Sequence, residues 1–567
     1  MTRIENCRET VKNWVNSHPS IADFIIASTI FTLILISNYI FGPNWGWRAR
    51  NARITASYFS LLIPVATLLF LRRKKSLFLA IAFWTLLSVA CYTALSWLWG
   101  GRFLAGWTNE KPLIFKELLS TTLAAVGGIG AVGYLVIKYR EQASSERAEV
   151  HHNEGEADKK LTAAVQQLGS NSPQVRIAGV YALADVADTY EGPYHQRVVD
   201  ILCGYLRTDR LLKDANGDTR YATNEDGSPN YSLPLSTDNP VESTILSVLA
   251  SHLRSSTTAE AKHQSRGPWS TCTLDIHGAH ITEQVNFDYA QIGEIDAHSI
   301  QLTQGASFTQ TKFTNRANFD SSTFTQIANF WKSKFENEVS FRGTIFKQVA
   351  FFAENSFRQE VDFSEASFTQ EANFRGTQFL RTTDFQHASF KERTDFSAVR
   401  FHKTPQLFEA AFNKSVTFEG ATFMKAVDFC GTHLNGSSTF IKCTFQGDAK
   451  FTATNFYRNA DFRNASFALT AYFDGISFIG YVDFSECSFK DAVYFTSSNF
   501  SRDTLFERTT FGLDVSFMAT SFMGRPSFDN ARFAYSLKGT HRVILPAQIH
   551  LNNDGLPTGA EWSETQV

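Results

Sequence analysis

The chain is short of almost everything that would announce chemistry. Its seven cysteines, at 7, 91, 203, 272, 430, 443 and 487, are odd in number and scattered, with no C-x-x-C pair and no Cys/His cluster at metal-ligand spacing. That argues against a disulfide framework and a cysteine-bound zinc site, and reads as reduced thiols of a cytosol-facing protein. Neither sign of charge is in excess: 53 Lys and Arg stand against 55 Asp and Glu, a net charge of -2. The whole chain therefore offers no electrostatic argument for nucleic acid or an acidic substrate. There is no Walker loop, G-x-S-x-G, H-E-x-x-H or other nucleotide, nucleophile or metal motif. Leu556-Pro557-Thr558-Gly559 resembles a sortase signal only superficially, because it lacks the spacer residue and no hydrophobic tail follows it. No catalytic residue, metal ligand or cofactor is assigned, and the chain is read as a non-enzyme.

What is present in excess is phenylalanine: 52 Phe against 17 Tyr and 10 Trp. At 567 residues the chain is also too long for one compact core, so several regions are expected.

Four apolar runs precede residue 140: Phe24–Phe41, Ile54–Leu71, Ser76–Trp99 and Leu118–Ile137, none holding a Lys, Arg, Asp or Glu. Each is about the length a helix needs to cross hydrocarbon. The expectation is a four-helix transmembrane region over residues 1–140. Arg72, Arg73, Lys74 and Lys75 follow the second run, and Lys138 and Arg140 follow the fourth. By the positive-inside rule both termini are then cytoplasmic, in a multi-pass bacterial inner-membrane protein, although Arg48, Arg50 and Arg53 in the opposite loop argue against it. Gly127, Gly128, Gly130 and Gly133 permit close helix approach, either within the four-helix unit or in a homo-oligomer through the transmembrane helices. No charged residue inside a span offers a transport pathway.

Residues 141–260 read as a cytoplasmic, all-α linker. His151 and His152 fall on its solvated start. Leu161, Val165, Leu168, Val175, Val180, Leu183 and Val186 keep helical spacing, and Ser172-Pro173 and Asn239-Pro240 are helix starts, with a further amphipathic stretch over Arg197–Leu206. Asp214, Asn216, Asp218 and Glu225 occupy positions 1, 3, 5 and 12 of a calcium loop. The β-branched Thr219 at the sharp turn and Gly227, Pro229 and Pro234 after it favour a disordered polar loop instead.

Residues 271–540 carry the strongest signal. From Phe308 the large apolar residue recurs at alternating spacings of five and six: Phe308, Phe313, Phe319, Phe324, Phe330, Phe335, on through Phe374 and Phe462 to Phe533. Of 42 such positions 40 are Phe, the exceptions being Leu407 and Leu434. Two residues before each stands a small or β-branched side chain, as in Ala317, Ser322, Ala328, Ser333, Val339 and Thr344. One large and one small inward residue per turn-bounded segment describes a square-sectioned coil. An 11-residue helical repeat fails, because Asn, Ser, Thr and Gly are frequent and a spacing of five scatters the rings over different helix faces. Four segments make a coil of 22 residues, about ten of which would stack at ~4.8 Å into a rod of roughly 50 Å. Cys443 and Cys487 share the small inward position, ~10 Å apart and beyond disulfide reach. Pro405, Leu407 and Phe408 disturb the pattern between Arg400 and Phe412, as does Pro526, as a bulge or as a recognition surface. Residues 541–567 are left as a C-terminal tail.

The runs Ala317-Asn-Phe-Asp-Ser-Ser-Thr-Phe324 and Val361-Asp-Phe-Ser-Glu-Ala-Ser-Phe368 resemble the pentapeptide repeat family, whose A-(D/N)-(L/F)-x-x units build a right-handed quadrilateral β-helix. The departure is one inserted residue in alternate units. Ala163–Gly169, Val175–Leu183, Asp200–Arg207 and Leu253-Arg254 are similar to a helical segment of actinobacterial membrane proteins that carry such repeats. The resemblance implies a membrane-anchored scaffold whose solenoid surface takes an unidentified protein partner, with membrane lipid as the other contact and no nucleic acid. A sensor or defence effector acting on the membrane is the alternative. Mimicry of DNA toward a topoisomerase, known for soluble members, needs a strongly negative rod, yet residues 281–533 hold 28 Asp and Glu against 24 Lys and Arg.

Overall fold

The computed structural model describes residues 112–255, 266–534 and 542–563. From Thr273 onward the chain is a β-solenoid built of two-residue strands. In one coil Ala317–Asn318, Thr323–Phe324, Ala328–Asn329 and Lys334–Phe335 follow in turn, and the next strand, Val339–Ser340, lies parallel to Ala317–Asn318 in register. Two faces are parallel sheets of 12 strands and a third has 13. The fourth is split into two sheets of 6 strands, joined only by the single-residue bridges of Gln406 to Asp384 and Asp428. Pro405, with no N–H to donate, reduces that strand to a bridge without disturbing the coil. Phe408 beside it is half exposed and lies against Gly431, where a Cβ would meet its ring at 3.0 Å.

The two spacings of the repeat are two kinds of corner. Across a spacing of five, as from Phe308 to Phe313, the second residue after the first Phe is left-handed, and the following N–H closes the turn: Gln310 has φ +54° and Thr311 donates to the Phe308 carbonyl at 3.0 Å. Across a spacing of six, as from Phe313 to Phe319, φ stays negative and the amides bond to neighbouring coils instead, Thr314 to Ile292 and Asn315 to Gly293. The inserted residue thus lengthens one corner type and leaves the other tight.

Inside, residues 22 apart stack. Phe313 and Phe335 have ring centroids 4.6 Å apart and planes 1° from parallel, and Phe319 meets Phe330 of a different column edge to face at 5.8 Å. Both arrangements suit aromatic quadrupoles, and each buried ring contributes about 1.5–3 kcal/mol through the area it removes from water. The coil extends ahead of the Phe run: Ile276, Ile281, Phe287, Ile292, Ala297 and Leu302 are buried in the first coils.

Four helices are described: α1 (Pro112–Leu168), α2 (Pro173–Tyr190), α3 (Pro193–Leu206) and α4 (Asn239–Leu253). Pro stands at the first or second position of α2, α3 and α4, where its missing N–H is not needed. By internal contacts the chain divides into Met1–Asn153 and Glu154–Val567. The second unit has one continuous apolar core running from Ala164 and Leu168 through α2, α3 and α4 into the solenoid. Gly179 lets α2 approach the end of α1, for a Cβ there would stand 2.6 Å from the Leu168 backbone nitrogen.

Three expectations are corrected. Among the described residues no helix is long and apolar enough to cross a membrane. The expected span Leu118–Ile137 falls inside the 57-residue α1, which continues unbroken into the charged stretch from Lys138 to Lys160. The α-helical transmembrane bundle, and the multi-pass inner-membrane placement with cytoplasmic termini that rested on it, do not stand. The runs Phe24–Phe41, Ile54–Leu71 and Ser76–Trp99 lie outside the described residues.

Secondly, the linker of residues 141–260 is not all-α, because a hairpin stands between α3 and α4. Tyr221–Thr223 pairs antiparallel with Pro229–Pro234, closed by a turn in which Asn224 donates to the Ser228 carbonyl at 2.8 Å and Gly227 takes φ +82°. The calcium-loop residues serve this structure, since Asp214 Oδ1 accepts from the Asn216 and Asp218 amides at 2.9 Å each. Thirdly, residues 542–563 form a cap. Val543–Ile544 adds to one face and Glu561–Ser563 to another, while Leu556 is fully buried at the end of the core.

Candidate interaction surface

With rings filling the interior, function falls to the outward residues and the two ends. The N-terminal end is sealed by polar contacts as well as apolar ones. Gln196 of α3 imitates a strand: its Oε1 accepts from the Thr273 amide at 2.8 Å and its Nε2 donates to the Thr273 carbonyl at 3.0 Å. Glu242 of α4, wholly buried, accepts from the Thr282 amide at 2.6 Å, the Glu283 amide at 2.8 Å and Arg210 Nη2 at 2.9 Å. Arg210 also donates to the carbonyls of Leu206 and His280. A buried pair so fully bonded fixes the helices in one register on the first coil. Trp269 is buried at the other end of α4, its ring stacked on His252 at 4.0 Å.

The sequence sites assigned to the core, Phe308, Phe313, Phe319, Phe324, Phe330, Phe335, Phe374 and Phe462, are all placed in the interior, none more than 2% exposed. They are a scaffold for the outer columns. In each small-polar-Phe strand the middle residue points outward and recurs every coil. On one face the column reads Asp275, Asp296, Asn318, Ser340, Asp362, Asp384 in direct register. Most of these residues have a structural duty: the side chain accepts from the amide two residues on, as Asn318 does from Asp320 at 3.1 Å, Asp362 from Ser364 at 2.7 Å and Asp384 from Gln386 at 2.8 Å. The preference for Asn or Asp at this position is therefore a turn requirement.

The charge it leaves on the surface is nonetheless one-sided. Glu338 and Glu360 stand in the adjoining column, lining with Arg316, Asp320, Arg342 and Asp384 a groove of about 380 Å³. Burial raises the Asp384 carboxyl pKa, as does the like charge of Asp362 beside it, against the lowering effect of the Gln386 amide. On the neighbouring face Lys312 and Lys334 pair in register, as do Gln378 and Arg400. Glu336 partly neutralises this basic column, lying 3.7 Å from Lys312 and 3.0 Å from Arg358. The near-zero net charge of the rod thus conceals an acidic patch on one face of the coils from Asp320 to Asp384.

Two further features went unread in the sequence. A small inward Ser or Thr repeatedly donates to a Phe carbonyl one coil earlier, as Ser333 does to Phe308 at 2.5 Å; the 11-residue spacing of those hydroxyls was the available signal. Asp275 and Asp296 each face a histidine, and the twice-used Asp-x-His, 21 residues apart, was legible in principle.

The family model for pentapeptide repeats (9 copies) matches residues 308–355, 352–400, 440–488 and 484–532. Over those segments the solenoid is built of pentapeptide repeats. No curated protein and no solved structure matches the chain.

Proposed function

We propose that this pentapeptide-repeat solenoid serves as a non-enzymatic protein-interaction scaffold that uses its acidic face to hold a basic partner segment. The observation that supports this is the groove in which five carboxylates, Asp320, Glu338, Glu360, Asp362 and Asp384, outnumber two guanidiniums, Arg316 and Arg342. The carboxylates of Glu338, of Glu360 and Asp362, and of Asp384 lie on three successive coils spaced at the coil rise, ~4.8 Å, on a rigid wall. An extended cationic peptide laid along the rod would meet one carboxylate per coil, and like charges stacked this closely favour an added cation.

The test is affinity capture from crosslinked cells with full-length protein, its Glu338→Lys/Glu360→Lys variant and a Lys334→Glu control. Both glutamates are exposed and lack the turn-forming duty of the aspartates. Basic partners lost with the acidic-face variant and kept with the control support the reading. The same catalogue from all three proteins overturns it.

A further inference from the structure

The first two coils carry the same three-residue frame, Asp275-Ile276-His277 and Asp296-Ala297-His298. Strand pairing sets Asp275 directly beside Asp296, and the two imidazoles stack with centroids 4.9 Å apart and planes 1° from parallel. Each Nδ1 faces its own carboxylate, His277 at 2.5 Å from Asp275 Oδ1 and His298 at 2.7 Å from Asp296 Oδ1. An ionised carboxylate only accepts, so the proton of each neutral ring resides on Nδ1 and the lone pair on Nε2; Arg207 Nη1, 3.3 Å from His277 Nδ1, is then a neighbouring donor and its bond goes to Asp275.

The carboxylates are themselves held. Arg207 Nη1 donates to Asp275 Oδ2 at 2.7 Å, and Asn318 Nδ2 donates to Asp296 Oδ1 at 3.1 Å. Two carboxylates against one guanidinium leave the cluster negative. Hydrogen bonding that fixes the tautomer and aims Nε2 outward is the outer shell of a histidine metal site, and here it is built twice in register. Ligand atoms of Asp275, His277 and Asp296 lie within 4.8 Å of one another. Both imidazoles are 42% exposed, so an ion can reach them.

We propose that His277 and His298 bind one divalent transition-metal ion of the zinc class through their Nε2 atoms, oriented by Asp275 and Asp296, with water completing the coordination. At ~2.1 Å per bond a tetrahedral ion needs the two nitrogens about 3.4 Å apart with their in-plane lone pairs converging, so the two parallel rings must fan out of their stack, a rotation for which their half-exposed positions leave room. Bound there, the ion would tie together the first two coils just beyond the helical cap.

The test uses full-length protein stripped with chelator and titrated with Zn²⁺ by calorimetry, alongside Cu²⁺ electron paramagnetic resonance. Expected are one Zn²⁺ per chain, affinity at least about tenfold weaker in His277→Ala and in His298→Ala, and about 10–100-fold weaker in Asp296→Asn. The Cu²⁺ spectrum of the unaltered protein should show coupling to two nitrogens, and to one in each single histidine variant. Unchanged stoichiometry and affinity in the double His277→Ala/His298→Ala protein would overturn the proposal. So would absence of Zn²⁺ binding, or a spectrum of the unaltered protein without nitrogen coupling, a readout that requires no variant to fold.

Discussion

Thr344 Oγ1 donates to the Phe319 carbonyl oxygen at 2.7 Å, and the same oxygen accepts the Ser322 amide at 3.3 Å that closes its own turn. One side chain thereby satisfies the second lone pair of a carbonyl in the preceding coil. Thr454 does this for Phe429, Thr432 for Leu407 and Thr509 for Phe484. The thiols of Cys443 and Cys487 do it at 2.9 Å for Phe418 and Phe462. Burial pushes both thiols well above their ordinary range, so they stay protonated and able to donate.

Thr344→Val keeps the volume and removes the donor, leaving the Phe319 carbonyl with its turn amide alone. The expected loss is about 1 kcal/mol, at the low end for a buried polar group because one bond survives. Urea unfolding of the two proteins measures it; an unchanged midpoint would show that the hydroxyl column does not contribute to stability.

Phe374 stacks on Phe352 at 5.1 Å and on Phe396 at 4.9 Å, with Phe363 and Phe385 edge-on. Phe374→Asp places an unpaired carboxylate among four rings and should open the solenoid to protease around that coil. Phe374→Leu should cost far less, because Leu407 and Leu434 already occupy equivalent slots. Limited proteolysis separates the two, and full resistance in the aspartate variant would contradict a stacked core.

At the cap, Arg210→Met leaves Glu242 buried without its countercharge. Breaking one side of such a pair costs about 3–5 kcal/mol, whereas Arg210→Met/Glu242→Leu removes both charges and should recover much of the loss. Thermal unfolding of the three proteins gives the answer, and equal midpoints would mean that the pair does not hold the helices to the first coil.

Asp384 supplies the pH prediction. Its carboxyl pKa is raised, first by burial and then by Asp362, so between the ordinary 3.8 and the raised value the folded chain keeps a proton that the unfolded chain has lost. Stability contributed at acid pH is lost as pH climbs through that window. Asp384→Asn removes the penalty, and the amide can still accept from Gln386 while donating to Asp362, as Asn318 does to Asp296. The variant should be more stable at pH 7 and no more stable below pH 3.8; denaturant midpoints across pH decide it.

The coil and its core were legible because they are periodic. A Phe every five or six residues leaves the rings no arrangement but stacked columns, and the small residue two places earlier is the only size that fits beside them. The corners were less legible. Every eleventh residue from Gln310 to Asn530 is left-handed, yet the slot is filled by Ser321, Lys332, Glu354, Ala398 and Arg508 as readily as by Gly343 or Gly376. Backbone bonds to neighbouring coils enforce the conformation, so no glycine marks it.

Local pattern misled where tertiary pairing decided. Gly227, Pro229 and Pro234 suggested a disordered loop, but cross-strand bonds make a hairpin of it, and the residues after 541 acquire structure only by pairing with the last coils. Sequence by itself determined the repeat, its inward residues and the near-zero net charge. Only the tertiary structure decided which charges share a face, that Arg210 meets Glu242 and that His277 meets His298. The reason is that a coil brings together residues 22 apart, and a cap residues 32 apart, through backbone geometry that composition and local spacing do not encode.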